Sequence, residues 1–299
     1  MTGKSTGKAT IFAIMAVLFW STSPTAFKLG LQSTGSYQLL TAASITSAVI
    51  LGSILLIRGR KSGYPSIGWK DLVYSAILGL LNPAAYYLIL FQAYSILPAQ
   101  VAQPLNMVWP IVLVILSIPM LRQKISWISI GTMLLSFTGV VLVSLQGGTG
   151  GEDPRNRLGV FLALSTSLIW AVYWIFNARD RAEPVTRLFL NFTFASVYLL
   201  AGSILTGELF PATAPGWYAS VYVGIFEMGI TFVLWLKAMQ LARATDRISN
   251  LVFLAPFLNL FFVKTVLDER IFLTTVFGII LIVSGIIIQN LTGRHAKIT

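Results

Sequence analysis

Gly52-Ser53-Ile54-Leu55 recurs as Gly202-Ser203-Ile204-Leu205, and Leu18-Phe19-Trp20 recurs as Leu168-Ile169-Trp170, both at an offset of 150 residues. The register continues with small drift. Gly79 and Ala93 match Gly224 and Ala238 at an offset of 145, and Pro110, Ile125 and Gly139 match Pro256, Ile271 and Gly285 at 146. One such match means little; an ordered series means that the chain carries one unit twice. Residues 1–146 form the first copy, 147–156 a linker rich in glycine and charge, 157–292 the second copy and 293–299 a polar tail. A duplicated membrane protein is the usual construction of a transporter with its site between the repeats.

Composition places both copies in lipid. The chain has 299 residues, of which 56% are hydrophobic and 10% charged, whereas soluble domains carry roughly 25% charged residues. It has no cysteine, which removes disulfides, thiolate metal sites and cysteine nucleophiles. The single histidine, His295, lies in the polar tail, so a histidine-based metal centre, proton shuttle or triad has no material. No metal and no cofactor are expected. Gly147-Gly148 and Gly150-Gly151 do not follow a strand, which removes a phosphate-cradling loop.

A membrane span needs about 20 mostly apolar residues. Ten such stretches are expected: 9–31, 36–58, 70–92, 98–121, 125–146, 157–178, 186–206, 216–238, 246–267 and 271–292. The first is too long for a signal peptide and a second follows at once, so it is expected to be retained. The fold class is therefore an all-α integral membrane protein: ten transmembrane helices, as two five-helix repeats around a central cavity. Five is odd, so the second repeat enters the membrane inverted. With both termini cytoplasmic, 16 of the 21 basic residues fall on the inside, which the positive-inside rule accepts. The net charge of +11 is thus an orientation signal, and nucleic acid has no place among the partners.

Glu227 is the one acidic residue placed midway along a span. A charge at that depth costs roughly 2.5–3.5 kcal/mol on insertion scales, so it should face a cavity or a partner. It matches Asn82 at the 145 offset, and one turn further Tyr86 matches Thr231. Two readings are open: Glu227 locks neighbouring helices together, or it lines a cavity and carries a proton or anchors a substrate amine. Among the tryptophans, Trp69, Trp127 and Trp217 begin spans and read as an interfacial belt. Trp20, Trp109, Trp170 and Trp174 lie deep, where an indole N–H needs a partner that lipid does not supply. They read either as packing or, for Trp20, Trp109 and Trp170 with Tyr173 alongside, as the wall of a pocket for a planar amphipathic substrate. Span four adds polar Gln103 and Asn106. Pro24, Pro83, Pro110 and Pro256 each interrupt a span, as static bends or as hinges.

The stretch Ala238 … Ala244-Thr245 … Ser249 … Leu254-Ala255-Pro256 … Leu267-Asp268-Glu269-Arg270-Ile271 … Gly278 … Leu281 … Gly285 resembles the signature of the drug/metabolite transporter superfamily, in its EamA-type branch. Within it, Val17-Leu18-Phe19-Trp20-Ser21-Thr22, Asn106-Met107-Val108-Trp109-Pro110 and Ile169-Trp170-Ala171-Val172-Tyr173 resemble the YddG-type aromatic amino-acid exporters. The resemblance implies a ten-helix basket with spans 1, 3, 4, 6, 8 and 9 around the cavity, and cavity tryptophans at Trp20, Trp109 and Trp170. It gives no matching acid for Glu227. It implies export of small metabolites from the cytoplasm. Taken with the deep tryptophans, the expectation is an exporter of aromatic or other hydrophobic amino acids and related amphipathic compounds in the bacterial inner membrane, able to work as a monomer, by alternating access between two rocking halves. The alternative is a multidrug or other metabolite exporter or exchanger of the same superfamily. Phosphorylated substrates would call for buried basic residues, which the deep parts of the spans lack. An intramembrane enzyme is disfavoured: aspartyl chemistry needs two facing acids, and serine chemistry wants a His or Lys base.

Overall fold

With no water to satisfy N–H and C=O groups in hydrocarbon, an apolar run that enters the bilayer must pair its backbone within itself. The computed structural model describes residues 6–62, 66–97, 102, 105–144, 154–180, 182–207, 209–243, 245–255, 258–259 and 273–295. Among them there is no strand. The helices are α1 (Thr6–Trp20), α2 (Ser23–Leu31), α3 (Ser36–Ser62), α4 (Trp69–Gly79), α5 (Tyr86–Ile96), α6 (Trp109–Leu121), α7 (Trp127–Ser144), α8 (Pro154–Arg179), α9 (Pro184–Thr206), α10 (Ala214–Tyr222), α11 (Ile230–Leu241), α12 (Thr245–Leu251) and α13 (Leu273–His295).

Among the described residues, six stretches are long and apolar enough to cross a membrane: Gly7–Leu31, Ser36–Arg58, Trp69–Ile96, Arg157–Arg179, Pro184–Thr206 and Ala214–Leu241. The other four expected spans coincide with shorter helices or include residues outside the described set. Local signals set the ends. The α9 start has Pro184 in its first turn, and the Glu183 carboxylate accepts the Thr186 N–H at 2.8 Å; it ends at Gly207, whose φ of 76° suits glycine. Trp69 and Trp127 open α4 and α7 with their rings exposed, as an interfacial belt requires.

Several spans are interrupted. The first breaks at Ser21-Thr22, whose hydroxyls donate to the carbonyls of Leu18 (2.6 Å) and Phe19 (2.7 Å); Pro24 then sits in the first turn of α2. Between α4 and α5 lies a π-helical turn, Leu80–Ala85, in which Asn82 leaves helical dihedrals (φ −153°, ψ 125°). The residue before a proline is pushed towards extended backbone, and Pro83 follows. A second π-helical turn, Val223–Gly229, joins α10 to α11.

Packing is reciprocal between the halves: α1 lies against α11 and α5 against α8, while α3 packs on α9 and α7 on α13. The matched glycines sit where α4 meets α9, where the Val223–Gly229 segment meets α3, and where α7 meets α13. A Cβ on Gly79 would run into the Asn191 carbonyl oxygen, and one on Gly224 would stand 2.5 Å from that of Ala43. One on Gly139 would meet the Gly278 carbonyl oxygen, and one on Gly285 would stand 2.7 Å from that of Thr132. In each pair the partner segment also recurs near the same offset. Small residues let helix backbones close up where lipid offers no hydrophobic drive for association.

Arg187 shows a further departure from expectation. The sequence counts it among the inside charges at a span end, yet the structure buries it. Its guanidinium donates to Asp71 Oδ1 (2.8 Å), the Asp71 carbonyl (2.9 Å), Ser75 Oγ (2.7 Å) and Asp180 Oδ2, and lies 4.9 Å from the Tyr74 ring centroid. One planar fork thereby ties the start of α4, the end of α8 and the start of α9 together.

Gly79→Ala is expected to lower stability by about 1–3 kcal/mol, because a backbone oxygen cannot rotate away as a side chain would. Gly131→Ala, where a Cβ meets nothing within 4 Å, should be neutral or mildly stabilising. Thermal unfolding of the two variants in detergent checks the contrast.

Candidate functional site

Four indoles from four helices meet at the centre: Trp20 ends α1, Trp109 opens α6, Trp170 lies in α8 and Trp235 in α11. The Trp20 ring centroid is 6.0 Å from Trp109, 5.8 Å from Trp170 and 5.3 Å from Trp235, and Trp109 is 5.9 Å from Trp170 and 5.5 Å from Trp235. Tyr86 adds a ring 4.3 Å from Trp170. These tilted and edge-on pairings suit ring quadrupoles. The N–H groups of Trp20, Trp170 and Trp235 have no hydrogen-bond partner, although buried indoles ordinarily find one.

Trp20, Trp109, Trp170 and Tyr86 of this cluster help wall a cavity of about 40 Å³. Such a space holds a few waters, each needing at least ~10–15 Å³, and no amino acid. Its lining comes from six segments: Trp20, Ser23, Pro24 and Phe27; Tyr86, Leu90 and Tyr94; Asn106, Met107 and Trp109; Trp170; Glu227; and Val252 with Ala255. No lysine or arginine is among them.

Glu227 sits in the second π-helical turn, 5% exposed. Its carboxylate accepts from Tyr87 Oη at 2.7 Å and from Ser23 Oγ. The two open readings of this residue therefore meet in one geometry: it lines the cavity and also joins the helices on either side. π-Helical turns recur at functional sites because the extra residue re-aims the side chains beyond it.

Span four shows how a broken helix stays satisfied. Pro110 has no N–H for the Asn106 carbonyl four residues earlier. Ser167 Oγ of α8 takes that carbonyl at 2.8 Å and the Leu105 carbonyl at 3.1 Å. The Asn106 amide donates to Thr166 Oγ1 (2.9 Å) and Tyr86 Oη (3.1 Å), fixing its place on the cavity wall.

Of the residues singled out from sequence, Trp20, Tyr86, Asn106, Trp109, Trp170 and Glu227 are brought together, with Pro24 beside them. Asn82, Tyr173 and Thr231 are buried but do not line the cavity. The Asn82 side chain has no hydrogen-bond partner, Tyr173 Oη accepts from the Asn191 amide at 3.2 Å, and Thr231 Oγ1 donates to the Phe226 carbonyl. Asn82 lies within one π-helical turn and Thr231 just beyond the other, which shifts their register, whereas Tyr173 packs against Trp174 and Phe232. Pro83 and Pro110 lie at the breaks described above; Gln103 and Pro256 lie outside the described residues. Sequence reasoning missed Ser23, Tyr87 and Trp235. The first two are ordinary in composition, and only depth within its span could have flagged Trp235.

A larger hollow of about 770 Å³ lies between α3 and α9, lined by Ile45, Val49, Leu56, Phe189, Val197 and similar side chains. It has no ionisable lining residue, and Val49, Leu56 and Val197 are exposed, so chemistry points to the smaller cavity. Among the described residues no group of three His, Cys, Asp or Glu side chains could hold a metal.

Helices of membrane-spanning length around a small cavity of aromatic and polar side chains mark a multi-pass membrane protein. The EamA-like transporter family matches residues 7–145 and again residues 157–291, and the chain belongs to that family. It is 28% identical to the aromatic amino acid exporter YddG of Ancylobacter novellus, over 79% of this chain and 81% of that one. It is 23% identical to a probable terminal-alkyne amino-acid exporter of Streptantibioticus cattleyicolor (83% and 82%) and 25% identical to an uncharacterized transporter of Clostridium kluyveri (97% and 95%). A crystal structure sharing 22% identity superposes with a TM-score of 0.81, covering 95% of this chain and 98% of the other, which shows the fold.

Ser23→Ala and Tyr87→Phe each remove one donor from a buried carboxyl and are expected to lower stability by about 1–3 kcal/mol. A thermal double-mutant cycle should show the two effects to be non-additive, since both act on Glu227.

Proposed function

We propose that the protein exports aromatic or other hydrophobic amino acids, and related amphipathic small molecules, across the bacterial inner membrane. One observation carries this reading: a single buried cavity presents flat indole walls, unpartnered Trp20 and Trp170 N–H donors, and the Glu227 carboxylate. A zwitterion with a ring uses all three. Its ring stacks on the indoles, its carboxylate accepts the free N–H groups, and its ammonium replaces the Ser23 and Tyr87 hydroxyls on Glu227. The YddG relative and the amino-acid exporter of Streptantibioticus cattleyicolor support the same substrate class. A multidrug or other metabolite exporter is the second reading, favoured by the uncharacterized transporters among the relatives. Phosphorylated substrates are disfavoured by a lining without Lys or Arg.

The reading includes ten spans as two inverted halves, with both termini cytoplasmic and a monomer as the working unit. The two separate family matches, the reciprocal glycine contacts and the six-segment lining support it. Because the cavity admits only water, the surrounding helices must part to load and release substrate. Alternate rocking of the halves does this, with the breaks near Pro24, Pro83 and Pro110 as hinges.

Trp109→Ala and Trp170→Ala are expected to lower export roughly tenfold at unchanged membrane abundance, the effect of losing one buried aromatic anchor. Proteoliposomes with a panel of labelled amino acids, with and without a proton gradient, measure it; normal transport by both variants removes the aromatic-pocket reading. Glu227→Gln should raise KM for amino acids more than for their deaminated analogues, and equal changes for both would return Glu227 to a structural role.

A further inference from the structure

Away from the cavity, α12 carries a second buried carboxyl group. From sequence, Asp246 belongs to a span end; in the structure it is 6% exposed, enclosed by α7 and α13. Its Oδ2 accepts from Ser129 Oγ at 2.6 Å and from Gln289 Nε2 at 3.4 Å, while Oδ1 has no partner. Ser249 and Asn250, at 0% and 1% exposure, are equally unpartnered through Ser249 Oγ, Asn250 Oδ1 and Asn250 Nδ2. Positions i, i+3 and i+4 share one face of a helix, so the three residues lie along the same side of α12.

Unpaired polar groups of this depth are costly one at a time, and three on one face are not a packing accident. Asp246 makes no ion pair among the described residues. The unpartnered acceptors are all oxygens, the ligand set that hard cations take. None of them hydrogen-bonds to another, so all three remain available to a ligand. One carboxylate balances one positive charge; a divalent ion would leave a net charge buried at the membrane.

We propose that Asp246 Oδ1, Ser249 Oγ and Asn250 Oδ1 form a sodium site between α12, α7 and α13. The site is separate from the central cavity and does not depend on what that cavity carries. It is mechanically close to it: the chain leaving α12 supplies Val252 and Ala255 to the cavity wall. An ion that fixes α12 against α7 and α13 therefore also steadies one side of that wall.

Thermal unfolding of the purified full chain in detergent, in sodium, potassium or choline chloride at equal ionic strength, tests the proposal without measuring transport. Sodium at about five times its Kd should raise the Tm by roughly 2–4 °C over choline. Asp246→Asn should abolish the shift, and Ser249→Ala should raise the half-saturating sodium concentration several-fold. An equal Tm in sodium and choline, an equal shift with potassium, or a shift retained in Asp246→Asn would overturn the assignment. If Asp246→Asn does not fold, Ser249→Ala decides, and an unchanged sodium dependence in it overturns the site.

Discussion

Backbone-to-backbone contact through glycine is the constraint on which the architecture rests. Gly79 against Asn191, Gly224 against Ala43, Gly139 against Gly278 and Gly285 against Thr132 are places where no side chain fits between two helices. Dispersion falls steeply with separation, so a helix pair that closes to main-chain contact gains over its whole length. The approach is available only where Cβ is absent, and each is made once by each copy upon the other. A repeat constrained in this way cannot drift freely: the glycine and the backbone it meets must both persist, in both halves.

These peripheral contacts leave the central segments free to be irregular. The π-helical turns, the Ser21-Thr22 break and the unwound stretch before Trp109 lie on helices that border the cavity. Irregular backbone at membrane depth is tolerated only where protein or a water-filled space satisfies it. Ser167 on the Asn106 carbonyl and the Ser21 and Thr22 hydroxyls on the preceding turn supply that satisfaction locally. What stays unsatisfied is therefore informative: the indole N–H groups of Trp20 and Trp170, both cavity-lining residues, and the Asp246, Ser249 and Asn250 side chains of α12.

The two halves are alike in frame and unlike in chemistry. Asn82 and Glu227 occupy matching π-helical turns, yet one side chain is an uncharged amide without partners and the other a carboxyl held by two hydroxyls. Burying one acid among neutral donors avoids the repulsion that two facing acids would bring. A common frame thus carries a buried carboxyl on one side only.

The order of the glycines, the helical lengths and the deep tryptophans were legible from sequence because they are properties of single segments: spacing, hydropathy and depth along an axis. The faces of those segments were not. Arg187 and Asp246 stand at span ends, where depth predicts solvent, but helix crossings cover them. Thr231 and Tyr173 share the depth of the cavity residues, but π-helical turns and neighbouring rings direct them elsewhere. Trp235 is one more apolar ring along its own span, and only the Trp20 and Trp109 indoles packed against it mark it out. Sequence by itself determined a duplicated, helical, membrane-embedded chain, since lipid leaves the backbone no other option. Tertiary packing decided which polar groups share a cavity, because rotation about a helix axis depends on the helices it meets.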